Sequence, residues 1–316
     1  MTQALRELGL RSHLHPADIE AFLRAHKFPI VEGRTVTFAF VGAADSVNLR
    51  HWIHGLSSSQ PFQRFHGSPL WTLTIDIPEM SRVEYKLELV RGNQRQLVQD
   101  PLNEHLARDP YGANSVVYGA GYVQPDWIHH DPEARLGEVQ EQFVQSAALG
   151  ESRPVLVYLP ARFRASRRYP LLVAHDGLDY VKFASLRTIL DNLIHWLEIP
   201  PMIVALIQSP NRLAEYADDE RHARFLVDEL IPHLEEKYPL VAQPAARCLM
   251  GASFGAVASL ACAWRRPGVF GNLLLQSGSF VFTDIGHHDR GPVFDPVVKF
   301  MGEFRENPGR PADNVY

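Results

Sequence analysis

The stretch Arg247-Cys-Leu-Met-Gly-Ala-Ser-Phe-Gly-Ala256 constrains this chain more than any other. At its centre is Gly251-Ala252-Ser253-Phe254-Gly255, a Gly-x-Ser-x-Gly pentapeptide. The short apolar run Cys248 to Met250 predicts a buried strand before it. The small residues from Ala256 to Trp264 predict a helix after it. A chain that passes from strand to helix through so tight a bend has no room for side chains at 251 and 255. The serine between them is forced into a strained backbone conformation. Its hydroxyl then stands clear of the sheet, and the helix N-terminus behind it favours developing negative charge. This is the setting of an activated serine nucleophile. The alternative is an ordinary serine in a tight strand-to-helix turn.

The rest of the chain falls into two patterns. Residues 16–26 carry Ile19, Phe22 and Leu23 at helical spacing. Strict alternation follows: Val36, Phe38 and Phe40; Trp71, Leu73, Ile75 and Ile77; Val83, Tyr85, Leu87 and Leu89. Period two over several segments predicts half-buried antiparallel strands, here an immunoglobulin-like β-sandwich of about 100 residues. Gly119, Gly121, Pro125, Asp131 and Pro132 break any regular pattern and predict a linker. Beyond it, Leu171–Ala174 and Met202–Ile207 are continuous apolar runs, as suits strands buried on both faces. Helices are expected over 180–197 and 216–237, and another from Asp295-Pro296, with Asp295 as its cap. The expected division is a helical segment at 1–32, a sandwich domain at 33–118, a linker at 119–135 and an α/β domain at 136–316.

Composition narrows the function classes. The net charge is −5 with both signs dispersed, and no basic block marks a nucleic-acid or anionic-membrane surface. No apolar run approaches the roughly 18 residues that a membrane span requires. The N-terminus is charged where a signal peptide would be apolar, so a cytoplasmic location is expected. Cys248 and Cys262 are read as buried free thiols. No metal-ligand spacing and no phosphate loop occur, so no cofactor or metal is expected.

Several separate motifs resemble the enterochelin esterase family, within the larger esterase D group of α/β-hydrolases. They are Asp100-Pro-Leu-Asn103, Tyr111-Gly-Ala-Asn-Ser115, Val157-Tyr-Leu-Pro160, His175-Asp-Gly177, Asn211-Arg212, the pentapeptide at 251–255 and Gln276-Ser-Gly-Ser279. The resemblance covers nearly the whole chain. It implies an α/β-hydrolase domain preceded by the sandwich. It implies hydrolysis of a small-molecule ester, of siderophore or other acyl type, through an acyl-serine. An acyltransferase on the same scaffold and a non-catalytic binding protein are the rival readings.

Ser253 is the candidate nucleophile. The N–H of Phe254, next in the chain, is the first candidate oxyanion donor. Similarity of Asp176-Gly177-Leu178 to the corresponding loop of related acyltransferases points to the Leu178 N–H as the second, with Gly177 letting the loop turn in. His175 and Asp176 are read as fixing this loop. Arg212 either holds an anionic or ester oxygen of the substrate or pairs with Glu215 or Asp219. Trp52, Trp71 and Trp127 suit core packing better than stacking on a ligand ring. The run Asp218-Asp219-Glu220 reads as a solvated first helical turn.

A serine hydroxyl needs a base. The histidines after Ser253 are His287 and His288, too early in the chain for the usual order of serine, acid, histidine. Asp284, Asp289, Glu303 and Asp313 meet the same objection. The α/β-hydrolase domain is therefore expected to be incomplete at its C-terminus. Its acid and histidine would lie beyond Tyr316, and residues 1–316 alone would show little esterase activity.

Overall fold

The computed structural model describes residues 1–10, 14–53, 55–284 and 291–316. It divides into two compact units, Met1–Gln124 and Pro125–Tyr316.

In the first unit, α1 (Gln3–Gly9) and α2 (Pro16–Ala25) precede the strands. Among the described residues one antiparallel sheet is formed by β1 (Ile30–Glu32), β2 (Thr35–Val41), β5 (Gln63–Arg64) and β6 (Leu70–Asp76). Its order is β1-β2-β6-β5. The other holds β3 (Ser46–His51), β4 (Ser59–Pro61), β7 (Arg82–Arg91), β9 (Leu106–Asp109) and β10 (Gly112–Tyr118), in the order β4-β3-β7-β10-β9. β8 (Gln94–Val98) is paired to β7. Val36, Phe38 and Phe40 of β2 share one core with Val47, Leu49, Tyr85, Leu87 and Leu89. The alternation at β2 predicted one solvated face, but Val36 to Phe40 are all buried. Ala39 packs in a second cluster with Leu5, Leu8, Ile19 and Phe22 of the two helices, and the Thr37 hydroxyl bonds to that of Thr2 at 3.0 Å. Trp71 is a core residue, whereas Trp52 is 87% exposed, against the packing expected for it.

The motif pieces at 100–103 and 111–115 brace this unit. The Tyr85 hydroxyl donates to Asp100 Oδ2 at 2.6 Å. Asn103 Nδ2 donates to the Val116 carbonyl at 2.8 Å, and the Asp100 N–H donates to Ser115 Oγ at 2.8 Å. Each bond satisfies a polar group taken out of water.

The second unit is built on a mixed sheet, β11 (Glu138–Ser146), β12 (Glu151–Leu159), β13 (Leu171–Ala174), β14 (Ile203–Ile207), β15 (Arg247–Ala252), β16 (Asn272–Gln276) and β17 (Asn314–Val315). Its order is β11-β12-β14-β13-β15-β16-β17. β11 and β12 are antiparallel; from β14 through β17 the neighbours are parallel. Every residue of β14 is buried. Ile203, Ala205 and Ile207 pack with one cluster, Val204 and Leu206 with another. α3 (Gly177–Phe183) and α4 (Leu186–His195) follow β13, and α4 gives Leu186, Leu190 and Ile194 to the second cluster. α5 (Arg212–Glu215), α6 (Glu220–Arg224), α7 (Ile231–Lys237), α8 (Phe254–Arg265) and α9 (Asp295–Glu306) complete the unit.

Three expectations change here. The helix foreseen at 180–197 is interrupted at Ala184-Ser185, where Ser185 takes φ 54°. The helix foreseen at 216–237 starts at Glu220 and carries a π-helical stretch, Phe225–Leu230, between α6 and α7. Asp295 does not cap α9: the capping position is Phe294, and Asp295 is the first helical residue. Cys248 is part-buried, Cys262 is buried, and both are free.

Candidate active site

β15 runs straight into Ser253, which adopts φ 55° and ψ −117° and is followed directly by α8. For a residue with a Cβ this backbone state is strained. The flanking glycines show what holds it. A Cβ on Gly251 would lie 2.3 Å from the carbonyl carbon of Gly255, a hard overlap. A Cβ on Gly255 would meet the His175 Cβ at 3.2 Å. The bend is closed from the next strand as well. The Ser253 N–H donates to the Gln276 carbonyl at 3.0 Å, and the Ser279 N–H donates to the Ser253 carbonyl at 3.2 Å.

Ser253 is half-buried. Among the described residues its Oγ has one hydrogen-bond partner, Ser279 Oγ at 2.8 Å. No described histidine is hydrogen-bonded to it. His287, His288 and Asp289 lie outside the described residues. Three other downstream acids are engaged: Asp284 with Arg305, Glu303 with Lys299, Asp313 with Arg310.

Phe254 is the first residue of α8 and Leu178 the second of α3, so neither N–H has a preceding helical carbonyl to bond. The two helices leave adjacent parallel strands, with Ala174 in register with Met250. The Tyr180 hydroxyl of α3 bonds to the Gln276 side chain, tying the start of α3 to the strand end that holds Ser253. Leu178 is 42% exposed and Phe254 is buried. Gly177 is required for a different reason from the turn expected of it: its Cβ would lie 2.5 Å from Leu206 Cα, on β14. The positive φ of this loop, 54°, falls on Asp176.

Arg212 pairs with neither Glu215 nor Asp219. Its Nε donates to Asp176 Oδ2 at 2.8 Å and its Nη2 to the Ala252 carbonyl at 3.2 Å. It therefore joins the capping residue of α3 to the residue before Ser253. Burial raises the Asp176 carboxyl above its ordinary range, and the Arg212 charge works against that rise.

Behind the bend runs a buried polar chain that sequence reasoning missed. Ser259 Oγ lies 2.8 Å from the Gly255 carbonyl and 3.0 Å from His175 Nδ1. His175 Nε2 is 2.9 Å from His222 Nε2, and His222 Nδ1 is 2.8 Å from Glu215 Oε1. Arg153 and the Ser209 hydroxyl also hold the Glu215 carboxylate, Ser209 at 2.7 Å. Burial, with the neighbouring His222, pushes His175 down to about 3, so it is neutral. Burial alone would raise Glu215, but its bonds to His222, Arg153 and Ser209 bring it to about 2. Of the acidic run, Asp219 caps α6 through the Arg221 N–H. Asp218 is not solvated as expected: its side chain is 8% exposed and paired with Arg265. Trp127 is 41% exposed rather than packed in the core.

The family model described as "Putative esterase" matches residues 146–284. The uncharacterized protein YjcH of Bacillus subtilis is 30% identical over 148 residues, 45% of this chain and 62% of its own length. The iron(III) enterobactin esterase of Escherichia coli O6:H1 is 25% identical over 269 residues, 77% of this chain and 66% of that protein. The chain thus spans a little under two thirds of the length of these curated relatives. Among solved structures, the enterobactin esterase from Shigella flexneri in the presence of 2,3-dihydroxy-N-benzoyl-serine superposes with a TM-score of 0.69 at 20% identity. The match covers 94% of this chain and 84% of that one. At such identity the likeness speaks for the fold. Residues 146–284 of the second unit thus match the family described as "Putative esterase", and the chain is similar to iron(III) enterobactin esterase over 77% of its length.

Proposed function

We propose that this protein is a serine carboxylic-ester hydrolase in which Ser253 Oγ attacks the carbonyl carbon of a small-molecule acyl ester. The Oγ–C bond forms, the ester C–O bond breaks, and the proton from Oγ ends on the departing alcohol. Water then cleaves the acyl-serine and regenerates the hydroxyl. The N–H groups of Phe254 and Leu178, at the starts of two helices, receive the oxyanion of each tetrahedral intermediate. The reading assigns the proton carrier to no described residue. The observation that carries it is Ser253 at φ 55° between Gly251 and Gly255, with the residue only half-buried.

The relatives' names support acyl esters, of the siderophore kind or other, as the substrate class of this reading. The decisive experiment is labelling of the full-length protein with a fluorophosphonate probe, read by peptide mass spectrometry. The expected adduct is on Ser253, absent from Ser253→Ala at unchanged thermal stability. An adduct on another residue, or a Ser253→Ala protein that still hydrolyses esters at the wild-type rate, would refute the assignment.

A further inference from the structure

We propose that the second unit carries a separate binding site for a small phosphorylated molecule, at the edge of the sheet opposite Ser253. A cleft of about 620 Å³ opens there. Its walls come from Arg135, the end of β12, the segment before β13 (161–169), α4 and the segment before β14 (197–201). Ser253 follows the end of β15, which runs parallel to β13, as β13 does to β14. The cleft and the serine therefore lie beyond opposite ends of the same strands.

Arg135, Arg162, Arg164 and Arg167 all line this cleft. Several arginines elsewhere in the unit are matched with carboxylates, as Arg153 is with Glu215, Arg247 with Glu235 and Arg265 with Asp218. The four cleft arginines hold no carboxylate among the described residues. The one acid in the lining, Asp191, is buried and hydrogen-bonded through one oxygen. Its Oδ1 accepts from the Tyr158 hydroxyl and the Gly137 N–H, both at 2.7 Å, and its Oδ2 faces Arg187 Nε at 3.8 Å. The cleft therefore concentrates positive charge in a chain whose net charge is −5.

The arginines are presented by an ordered loop. The Arg164 N–H donates to the Tyr169 hydroxyl at 2.9 Å, the Arg167 guanidinium lies 5.6 Å from the centre of the Tyr169 ring, and the Arg167 N–H bonds to the Arg164 carbonyl at 3.1 Å. Tyr169 itself is buried. Planar guanidinium groups match phosphoryl oxygens in pairs. The cleft is far larger than one phosphate, and Ile194, Leu197 and Pro201 give it an apolar wall. The ligand class that satisfies both halves is a phosphoryl group, single or chained, on a compact organic body.

The test uses calorimetry on the intact protein at low salt, with inorganic pyrophosphate and ATP as probes. Vesicles containing phosphatidylinositol 4-phosphate separate a lipid headgroup from a free phosphate ester. The expected result is saturable binding of ATP at one site, weaker binding of pyrophosphate, and at least a roughly tenfold loss for ATP in Arg135→Ala/Arg164→Ala. Ser253→Ala should bind ATP as the wild type does, since the two sites are apart. Arg164→Glu, checked for native circular dichroism, should abolish binding if the double variant fails to fold. No saturable binding of either soluble probe up to about 1 mM overturns the proposal. So does undiminished binding by the folded variants, or vesicle binding without ATP binding.

Discussion

Ser253 Oγ and Ser279 Oγ lie 2.8 Å apart. Ser279 is also tied through its own N–H to the Ser253 carbonyl, at 3.2 Å. Two bonds from one residue thus fix both the main chain and the hydroxyl of the strained serine. Ser279→Ala removes the Oγ–Oγ bond, keeps the backbone one, and leaves the Ser253 hydroxyl free to change rotamer. A misplaced nucleophile reacts more slowly. The expected result is about a threefold to tenfold drop in the rate of fluorophosphonate labelling at Ser253, with stability lowered by about 1 kcal/mol. An unchanged labelling rate would mean that Ser279 does not orient the hydroxyl.

The two glycines of the pentapeptide differ in how much they matter. At Gly251 the added Cβ would lie 2.3 Å from the backbone carbon of Gly255, and neither strand nor helix can shift without opening the bend. At Gly255 it would meet the His175 Cβ at 3.2 Å, which a few tenths of an ångström relieve. Gly251→Ala is therefore expected to cost about 3 kcal/mol or more and Gly255→Ala about 1 kcal/mol. Urea denaturation of the two variants checks the ranking, and equal costs would contradict it.

The bend was legible in the sequence because its demands are local. Glycine at 251 and 255, an apolar run before and small residues after are all consequences of one backbone turn. The continuous burial of β14 was legible for a similar reason, since Ile203 to Ile207 have no polar face. What is brought from a distance was not legible. Nothing near β2 announces that α1 and α2 cover its second face. Arg212 was expected to find an acid close by in sequence, at 215 or 219, but its partner is Asp176, 36 residues earlier. His175 and His222 are 47 residues apart, and each alone reads as an ordinary polar residue. The break at Ser185 carries no glycine or proline to signal it.

The buried chain gives the second unit a pH dependence. His175 has its proton affinity lowered from 6.5 to about 3, first by burial and then by His222. Its folded value lies below its unfolded one, so the unfolded state takes up a proton first as pH falls. The stabilisation is complete above about 6.5 and is lost progressively toward 3. His233 in the same unit, and His51 in the first unit, are shifted downward by burial in the same sense. Asp176 and Asp218, raised by burial, oppose the trend only in the carboxylate range. Urea midpoints should therefore fall between pH 7 and 5, while the imidazole nitrogens of His175 show no titration in NMR over that range. A His175 that titrates near 6.5 would contradict the buried arrangement.

Glu215 is the hub of the same chain. Its value of about 2 lies below the ordinary 4.5, so its stabilisation is present above about 4.5 and is lost as pH drops toward 2. Glu215→Gln keeps the shape but leaves Arg153, whose side chain is 8% exposed, with only the more exposed Glu151 as counter-charge. Removing one partner of a buried pair costs about 3 kcal/mol or more. The loss should appear at pH 7 and shrink as wild type is titrated below pH 4. A Glu215→Gln protein as stable as wild type at pH 7 would show that the pair contributes nothing net.

Arg212 links the loop that carries Leu178 to the residue before Ser253, through Asp176 Oδ2 and the Ala252 carbonyl. If the two proposed oxyanion donors act together, this side chain sets their spacing without touching the reacting atoms. Arg212→Lys can reach one of the two acceptors; Arg212→Ala reaches neither and leaves the Asp176 carboxylate without its counter-charge. Fluorophosphonate labelling at Ser253 should fall by about tenfold or more in Arg212→Ala and by less in Arg212→Lys. If Arg212 instead contacted the substrate, the losses would depend on whether the ester carries an anionic group. Comparing hydrolysis of a neutral and an anionic ester in both variants separates the two roles. Equal losses on both esters support bracing, and a loss confined to the anionic one assigns Arg212 to substrate binding.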